Sequence, residues 1–170
     1  MQDAFMSWSD AVHDHPLRAR YAEVHDLAEW TDWMPFEAAI PSAPREPGVY
    51  LLREPITSII RYVGMAGERA ASGRPQGLYG RLTVYRNGRG AISGFGEEAL
   101  DRALADPHWI EQQLHDLRRH GPKTAQDWAR EAVLRLDLEV SWSVTPDTPD
   151  ARYLETQVQT RLKTHGLWNR

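Results

Sequence analysis

Two short apolar runs separated by a turn constrain the fold of this chain more than any other feature. The segments VYLLRE at 49–54 and SIIRYVG at 58–64 have the length and composition of β-strands, and EPIT between them predicts a hairpin. A two-stranded hairpin is only marginally stable alone, so it needs another strand and helices to cover it. The segment LEVSWSV at 138–144 alternates apolar and polar residues and predicts that third strand.

Helix-forming segments fill most of the remaining chain. Apolar residues recur about one turn apart in the segments at 78–88, 97–107, 109–121, 124–137 and 151–166. Thr124 is expected to cap the fourth segment, and Asp147 and Asp150 are alternative N-caps for the fifth. We therefore expect an α+β fold in which helices flank a small three-stranded sheet.

The chain divides into an N-terminal extension and a main domain. Residues 1–46 are acidic and contain Trp8, Trp30 and Trp33, and the proline-rich connector PSAPREPG at 41–48 cannot continue a helix. The main domain covers 47–170, and its helices at about 91–137 form an insertion before the third strand. A chain of 170 residues is long enough to bury a substantial core.

Charge is distributed unevenly along the chain. The net charge is −4, but residues 61–90 contain six arginines and one glutamate, whereas residues 1–40 carry a net charge of −6. Arginine suits bidentate phosphate contacts, so the basic segment predicts a DNA-binding face that includes Arg61, Arg74, Arg86 and Arg89. On composition alone, an ordinary solvated surface is the alternative.

Cysteine content and hydropathy bear on the cellular compartment. The chain has no cysteine, which excludes disulfides and cysteine-ligated metal sites. No stretch approaches the roughly 18 consecutive apolar residues of a membrane helix, and no signal-peptide pattern is visible. We expect a cytoplasmic protein without a membrane partner.

Two tripeptides and the residues that follow them resemble a known nuclease domain. GVY at 48–50 and YVG at 62–64 lie on consecutive predicted strands, an arginine lies on the next helix, and a glutamate lies on the helix after the third strand. This pattern resembles the GIY-YIG nuclease family, whose tripeptides occupy adjacent strands of a small mixed sheet. The resemblance covers roughly residues 47–90 and 138–170. Valine replaces isoleucine in both tripeptides, and Met65 stands where many members carry lysine or glutamine.

The resemblance implies a set of site residues. The matched positions are Tyr50, Tyr62, Arg81, Tyr85, Glu155 and Asn169. Glu155 would bind Mg²⁺ or Mn²⁺, which polarises a phosphate oxygen, and Arg81 would stabilise charge in the transition state. Glu131 is a weaker alternative to Glu155, because its helix does not directly follow the third strand.

The roles of the tyrosines and of the glycine follow from the same resemblance. One tyrosine would take a proton from water, and we favour Tyr50 over Tyr62 for this role. The neighbouring arginine and metal would have to lower the pKa of the phenol. Gly64 would let a phosphate approach the strand end closely. Taken one at a time, both tyrosines also fit half-buried strand aromatics.

The expected activity is hydrolysis of DNA phosphodiester bonds, which in this family leaves a 5′-phosphate and a 3′-hydroxyl. By analogy we expect a bacterial restriction or defence enzyme, and a homodimer would supply the two sites that a double-strand cut needs. The alternative is a nucleic-acid-binding or regulatory protein with little or no cleavage activity, which Met65 and the acidic net charge favour. A protein-interaction module built on the helical insertion is a third interpretation.

Overall fold

The fold is described by a computed structural model over residues 12–68, 73 and 75–169. The strands in these ranges are β1 (Met34–Pro35), β2 (Gly48–Arg53), β3 (Ile60–Ala66) and β4 (Glu139–Val144). The helices are α1 (His15–His25), α2 (Phe36–Ala39), a 3₁₀-helix (Ile40–Ser42), α3 (Gly77–Arg86), α4 (Gly94–Leu104), α5 (Pro107–His120), α6 (Ala125–Leu134) and α7 (Thr148–Leu162). None of these described helices is long and apolar enough to cross a membrane.

The strands form one antiparallel sheet in the order β1-β4-β2-β3. Tyr50 in β2 lies opposite Gly64 of β3 on one side and opposite Trp142 of β4 on the other. The expected α+β class is confirmed, but the expected three-stranded mixed sheet is wrong. Strand β1 adds a fourth strand, and every pairing between the described strands is antiparallel. Strands β3 and β4 run in the same direction, but β2 lies between them, so neither has a parallel neighbour.

Alternation along the strands divides the core between the two faces of the sheet. On the tyrosine face, defined by Tyr50 and Tyr62, the buried cluster includes side chains of α2, α3, α4 and α6. On the opposite face, Val49 and Val63 pack with side chains of α1 and α7. The helical insertion therefore contacts the tyrosine face, whereas the last helix covers the other one.

The described part of the acidic N-terminal extension packs on the sheet. Apolar side chains of α1 are buried on the face that α7 also covers. The Tyr21 hydroxyl accepts a hydrogen bond from the backbone N–H of Ile60 at 2.5 Å. Thr31 donates its backbone N–H to the carbonyl of Trp142. The extension thus contributes to the same core as the main domain, and Trp8 lies outside the described residues.

Helix boundaries follow the capping residues. Thr124 caps α6 through a reciprocal capping box with Asp127, which confirms the predicted cap. Of the two candidates for α7, Asp147 is the N-cap, because its side chain accepts from the backbone N–H of Asp150. Pro107, expected to end a helix, is instead the first residue of α5, where the missing N–H would have had no helical partner.

Tyr21→Phe should lower the free energy of unfolding by about 1–3 kcal/mol, because it leaves the Ile60 N–H buried without its acceptor. The ring and its packing are retained, so the hydrogen bond is the main difference. Urea unfolding followed by tryptophan fluorescence measures the change. Tyr153→Phe, on the exposed side of α7, is the matched control and should unfold like the wild type. An equal loss in both variants would contradict the assigned role of Tyr21.

Candidate active site

Three of the predicted site residues converge on the tyrosine face. Tyr50 comes from β2, Tyr62 from β3 and Tyr85 from α3, and their exposed fractions are only 1%, 8% and 3%. The Tyr50 hydroxyl donates to the Tyr85 hydroxyl at 3.2 Å. The centroid of the Tyr50 ring lies 6.3 Å from the centroids of both other rings. The structure therefore brings together three phenols that lie far apart in the sequence.

Gly64 provides the space that the Tyr50 ring occupies. A Cβ atom on residue 64 would lie 2.3 Å from the Tyr50 hydroxyl oxygen and 2.4 Å from the ring carbon that carries it. The two residues are direct partners across the β2–β3 ladder, so the contact follows from the strand register. The expectation that this glycine opens the strand end to a phosphate is therefore wrong, because a tyrosine ring fills the position.

The first turn of α4 covers the tyrosine hydroxyls. A Cβ atom on Gly94, which has a φ of +55°, would lie 2.7 Å from the Tyr85 hydroxyl and 3.1 Å from the Tyr62 hydroxyl. The Phe95 ring is centred 5.5 Å from the rings of the same two tyrosines. The helical insertion thus forms one wall of the site. The segment GRGAISGFG at 88–96 has the composition of a loop and contains no sequence signal for this role.

Asn169 binds the outer edge of β3. Its side-chain amide exchanges two hydrogen bonds with the backbone of Val63: the oxygen accepts at 3.0 Å and the nitrogen donates at 2.6 Å. The preceding residue, Trp168, donates its backbone N–H to the Arg61 carbonyl at 2.6 Å. Edge strands present a row of backbone groups that need partners, and the C-terminal segment supplies them here. Asn169 is therefore placed to position β3 rather than to meet a substrate.

Glu155 on α7 lies further along the same edge. The backbone N–H of Met65, two residues after Val63, lies near enough to its carboxylate to favour the charged form. Glu155 is also close enough to Tyr62 and to Arg81, an exposed residue of α3, for their charges to interact. Tyr62, Arg81 and Glu155 therefore form one electrostatic group. Since Met65 contacts Glu155 through its backbone, this contact does not depend on which side chain stands at position 65.

Burial raises the pKa of both strand tyrosines. Desolvation is the largest cause for Tyr50 and for Tyr62, and the neighbouring phenols raise the pKa further. The charge of Arg81 acts in the opposite direction without outweighing burial. The expected lowering of the tyrosine pKa is therefore wrong for the protein by itself. Each phenol keeps its proton at neutral pH and can donate a hydrogen bond.

Burial also raises the pKa of Glu155. Desolvation is the largest effect, and it outweighs the charges of Arg152 and Arg81 and the hydrogen bond from Met65, all of which lower the pKa. The ionised carboxylate is therefore poorly solvated. A cation beside it would favour the charged form, as the opposite-charge effect requires.

A second carboxylate beside Tyr62 was not predicted. Glu98 of α4 is buried, and its charge contributes to the raised pKa of Tyr62. Arg102, one turn later, donates to the Glu98 carboxylate at 2.6 Å and lies 4.3 Å above the Trp168 ring. The spacing of four residues is visible in the sequence as a helical ion pair. Spacing alone does not show that the pair joins the insertion to the tyrosine site.

The arginines expected to bind DNA have different surroundings. The Nε of Arg61 pairs with Oε1 of Glu54 at 2.8 Å, so its charge is already engaged within the protein. Arg86 is exposed at the end of α3, and Arg89 is exposed just after it. Arg74 lies outside the described residues. Arg86 and Arg89 are therefore the members of the predicted set that the structure shows exposed.

Comparison with known proteins gives no match, so the functional assignment is based on the geometry of the site. No family model, curated protein or solved structure matches this chain. Within the described ranges, no group of three or more histidine, aspartate or glutamate side chains is arranged to hold a metal ion. Glu155 alone would suit Mg²⁺, because that ion is commonly bound by one or two carboxylates and retains several waters.

Gly64→Ala should destabilise the protein by about 1–3 kcal/mol, because the added methyl group overlaps the Tyr50 ring in a packed core. In a double-mutant cycle, Tyr50→Ala should remove most of that loss, since the methyl group then enters vacated space. Urea unfolding of the four proteins gives the coupling. If Gly64→Ala costs the same with and without the ring, the ring is not what the glycine accommodates.

Glu155→Gln should stabilise the protein at pH 7. A carboxyl whose pKa is higher in the folded than in the unfolded protein favours folding when it is protonated. This contribution is complete below the unfolded pKa, 4.5, and is lost as the pH rises through the folded pKa. At neutral pH the glutamine removes a poorly solvated charge.

This pH dependence is tested by urea unfolding of Glu155→Gln and the wild type. Their urea midpoints are compared from pH 7 down to about pH 4.5. The advantage of the variant should shrink as the pH falls and Glu155 becomes neutral. Glu111→Gln, on the exposed side of α5, controls for the general effect of removing a carboxylate. An advantage that grows on acidification would contradict the raised pKa.

Proposed function

We propose that this protein is a divalent-metal-dependent DNA endonuclease of the GIY-YIG type. The observation that carries the proposal is the grouping of Tyr50, Tyr62 and Tyr85 with Arg81 and Glu155, which come from four separate elements. Phosphodiester hydrolysis needs a permanent cation for the phosphate, a carboxylate for a metal ion, and hydroxyl groups that hold or transfer protons. This group contains all three.

Arg81 and Glu155 have complementary roles in the proposed mechanism. Arg81 is exposed on α3, so a phosphate can reach its guanidinium, which is charged at every physiological pH. Glu155 would hold Mg²⁺ or Mn²⁺, and the bound ion would polarise a non-bridging phosphate oxygen as a Lewis acid. The backbone N–H of Met65, on the same strand edge, favours the ionised carboxylate.

Tyr62 is better placed than Tyr50 to meet the reacting water or phosphate, which reverses the preference from the sequence. Tyr50 is almost completely buried, and its hydroxyl is already bonded to Tyr85. Tyr62 interacts electrostatically with both Arg81 and Glu155. In this scheme the Tyr62 hydroxyl orients the water or phosphate by a hydrogen bond, and Tyr50 supports Tyr85.

The proposed substrate is double-stranded DNA. The exposed Arg86 and Arg89 extend the cationic surface from Arg81 along and beyond the end of α3, where they would meet the phosphate backbone. The scheme retains a bacterial restriction or defence role, cytoplasmic location and a homodimer for double-strand cuts. The products would carry a 5′-phosphate and a 3′-hydroxyl.

A nucleic-acid-binding protein with little or no cleavage activity is the second candidate. It is favoured by the first turn of α4, which lies directly over the Tyr62 and Tyr85 hydroxyls. It is also favoured by the raised pKa of Tyr50 and Tyr62, because a proton-holding phenol is a poor base. The two candidates share a DNA surface and differ in metal-dependent strand cleavage.

Glu155→Gln and Arg81→Ala should each lower the single-turnover rate of DNA cleavage with Mg²⁺ or Mn²⁺ by about a thousandfold, because each removes charge that stabilises the transition state. Both variants should remain folded and bind DNA. Arg119→Ala, on the exposed surface of α5, is the matched control and should cleave like the wild type. Full activity of Glu155→Gln would refute the assigned site. Absence of metal-dependent cleavage by a folded, DNA-binding wild type would instead favour the second candidate.

A further inference from the structure

An open depression of about 490 Å³, which we call the α7 groove, lies on the exposed face of α7, and every residue that lines it belongs to that one helix. It is lined by two rows of helical residues: Thr148, Arg152 and Thr156 in one row, and Pro149, Tyr153 and Gln157 in the other. Residues four apart lie one above another on a helix, so the two rows form parallel ridges. The groove contains a guanidinium group, two hydroxyl groups and an aromatic ring.

The groove begins where β3 ends. The Thr148 hydroxyl oxygen accepts from the backbone N–H of Glu68 at 3.1 Å. A Cβ atom on Gly67 would lie 3.1 Å from the same oxygen. Residues 67 and 68 follow directly after β3, the strand whose Met65 backbone lies near Glu155. The groove is therefore continuous with the strand edge that carries the proposed metal ligand.

Arg152 joins the groove to Glu155. It lies three residues earlier on α7, so the two side chains occupy neighbouring positions on the helix surface. The charge of Arg152 is the largest effect that lowers the pKa of Glu155, ahead of that of Arg81. Glu155 thus interacts electrostatically with two exposed arginines on different helices. An anionic chain passing Glu155 would therefore meet cations from both helices.

Tyr153 gives the groove an apolar wall. Its side chain is 68% exposed, although the body of a tyrosine ring is hydrophobic. An exposed ring beside a guanidinium and hydroxyl groups matches a chain that alternates sugars with phosphates. Hydroxyl and arginine side chains are common phosphate partners in DNA complexes, where they fix register without reading sequence.

We propose that the α7 groove binds the backbone of the DNA strand that enters the active site, with Arg152 contacting a phosphate beside the scissile one and Tyr153 packing against deoxyribose. This inference rests on the proposed function and adds a binding track to it. The groove holds the strand on the α7 side of Glu155, and Arg81 holds it on the α3 side. Arg152 acts in binding, whereas Arg81 acts on the reacting phosphate.

DNA binding over a range of salt concentrations tests the groove, with Glu155→Gln as the background so that the duplex stays intact. Arg152→Ala should flatten the slope of log affinity against log salt by about one unit, as expected for one lost phosphate contact. Arg152→Lys should retain the slope. Tyr153→Ala should weaken binding without changing the slope, and Tyr153→Phe should bind normally. Arg119→Ala is the surface control.

Single-turnover cleavage by otherwise wild-type protein separates binding from chemistry. Arg152→Ala and Tyr153→Ala should both require more DNA for half-maximal rate, whereas Arg81→Ala should lower the rate at saturation. If Glu155→Gln binds DNA and the groove variants bind it as well as Arg119→Ala does, the groove inference is refuted and the proposed function stands. If the background shows no salt-dependent DNA binding, both are refuted.

Discussion

Strand β3 has to satisfy two requirements at once, and the rest of the site depends on both. Toward β2, Gly64 must leave room for the Tyr50 ring, whose hydroxyl bonds to Tyr85. Along the outer edge, Val63 binds the Asn169 amide, and the Met65 backbone favours the ionised Glu155 carboxylate. Because side chains alternate with a period of two, a register shift of one residue would disrupt both sets of contacts. The phenols and the carboxylate are therefore positioned by one register.

The position of α4 determines the direction from which a substrate can reach this site. Its first turn lies over the Tyr62 and Tyr85 hydroxyls and so contributes to the burial that raises the pKa of Tyr62. Arg81 is exposed and Glu155 is partly exposed, so the accessible side lies between α3 and α7. Under the proposed function, a DNA backbone would approach there and meet the Tyr62 hydroxyl from the strand edge, and α4 would not block the phosphate.

The sequence predicted the local elements well and their environment less well. Periodicity located β2, β3 and β4, and a cap motif located the start of α6 at Thr124, because these signals are contained within a few residues. Strand β1 was missed because it has two residues, one of which is Pro35. The direction of the tyrosine pKa shift was wrong because burial comes from α4, which is distant in the sequence. The resemblance grouped Asn169 with Glu155, but only the backbone of β3 shows how the edge holds them.

The charge of Glu155 bears on the choice between a DNA-cleaving enzyme and a protein that only binds DNA. Its raised pKa means that the ionised carboxylate lowers the stability of the metal-free protein at neutral pH. A protein that only binds DNA gains nothing from that charge, because a carboxylate repels phosphates. A glutamine at this position would avoid the desolvation cost. A divalent cation reverses both effects, since it neutralises the carboxylate and attracts the phosphate. Under the proposed function, a metal ion beside Glu155 would account for a poorly solvated carboxylate in the neighbourhood of Arg81 and Arg152.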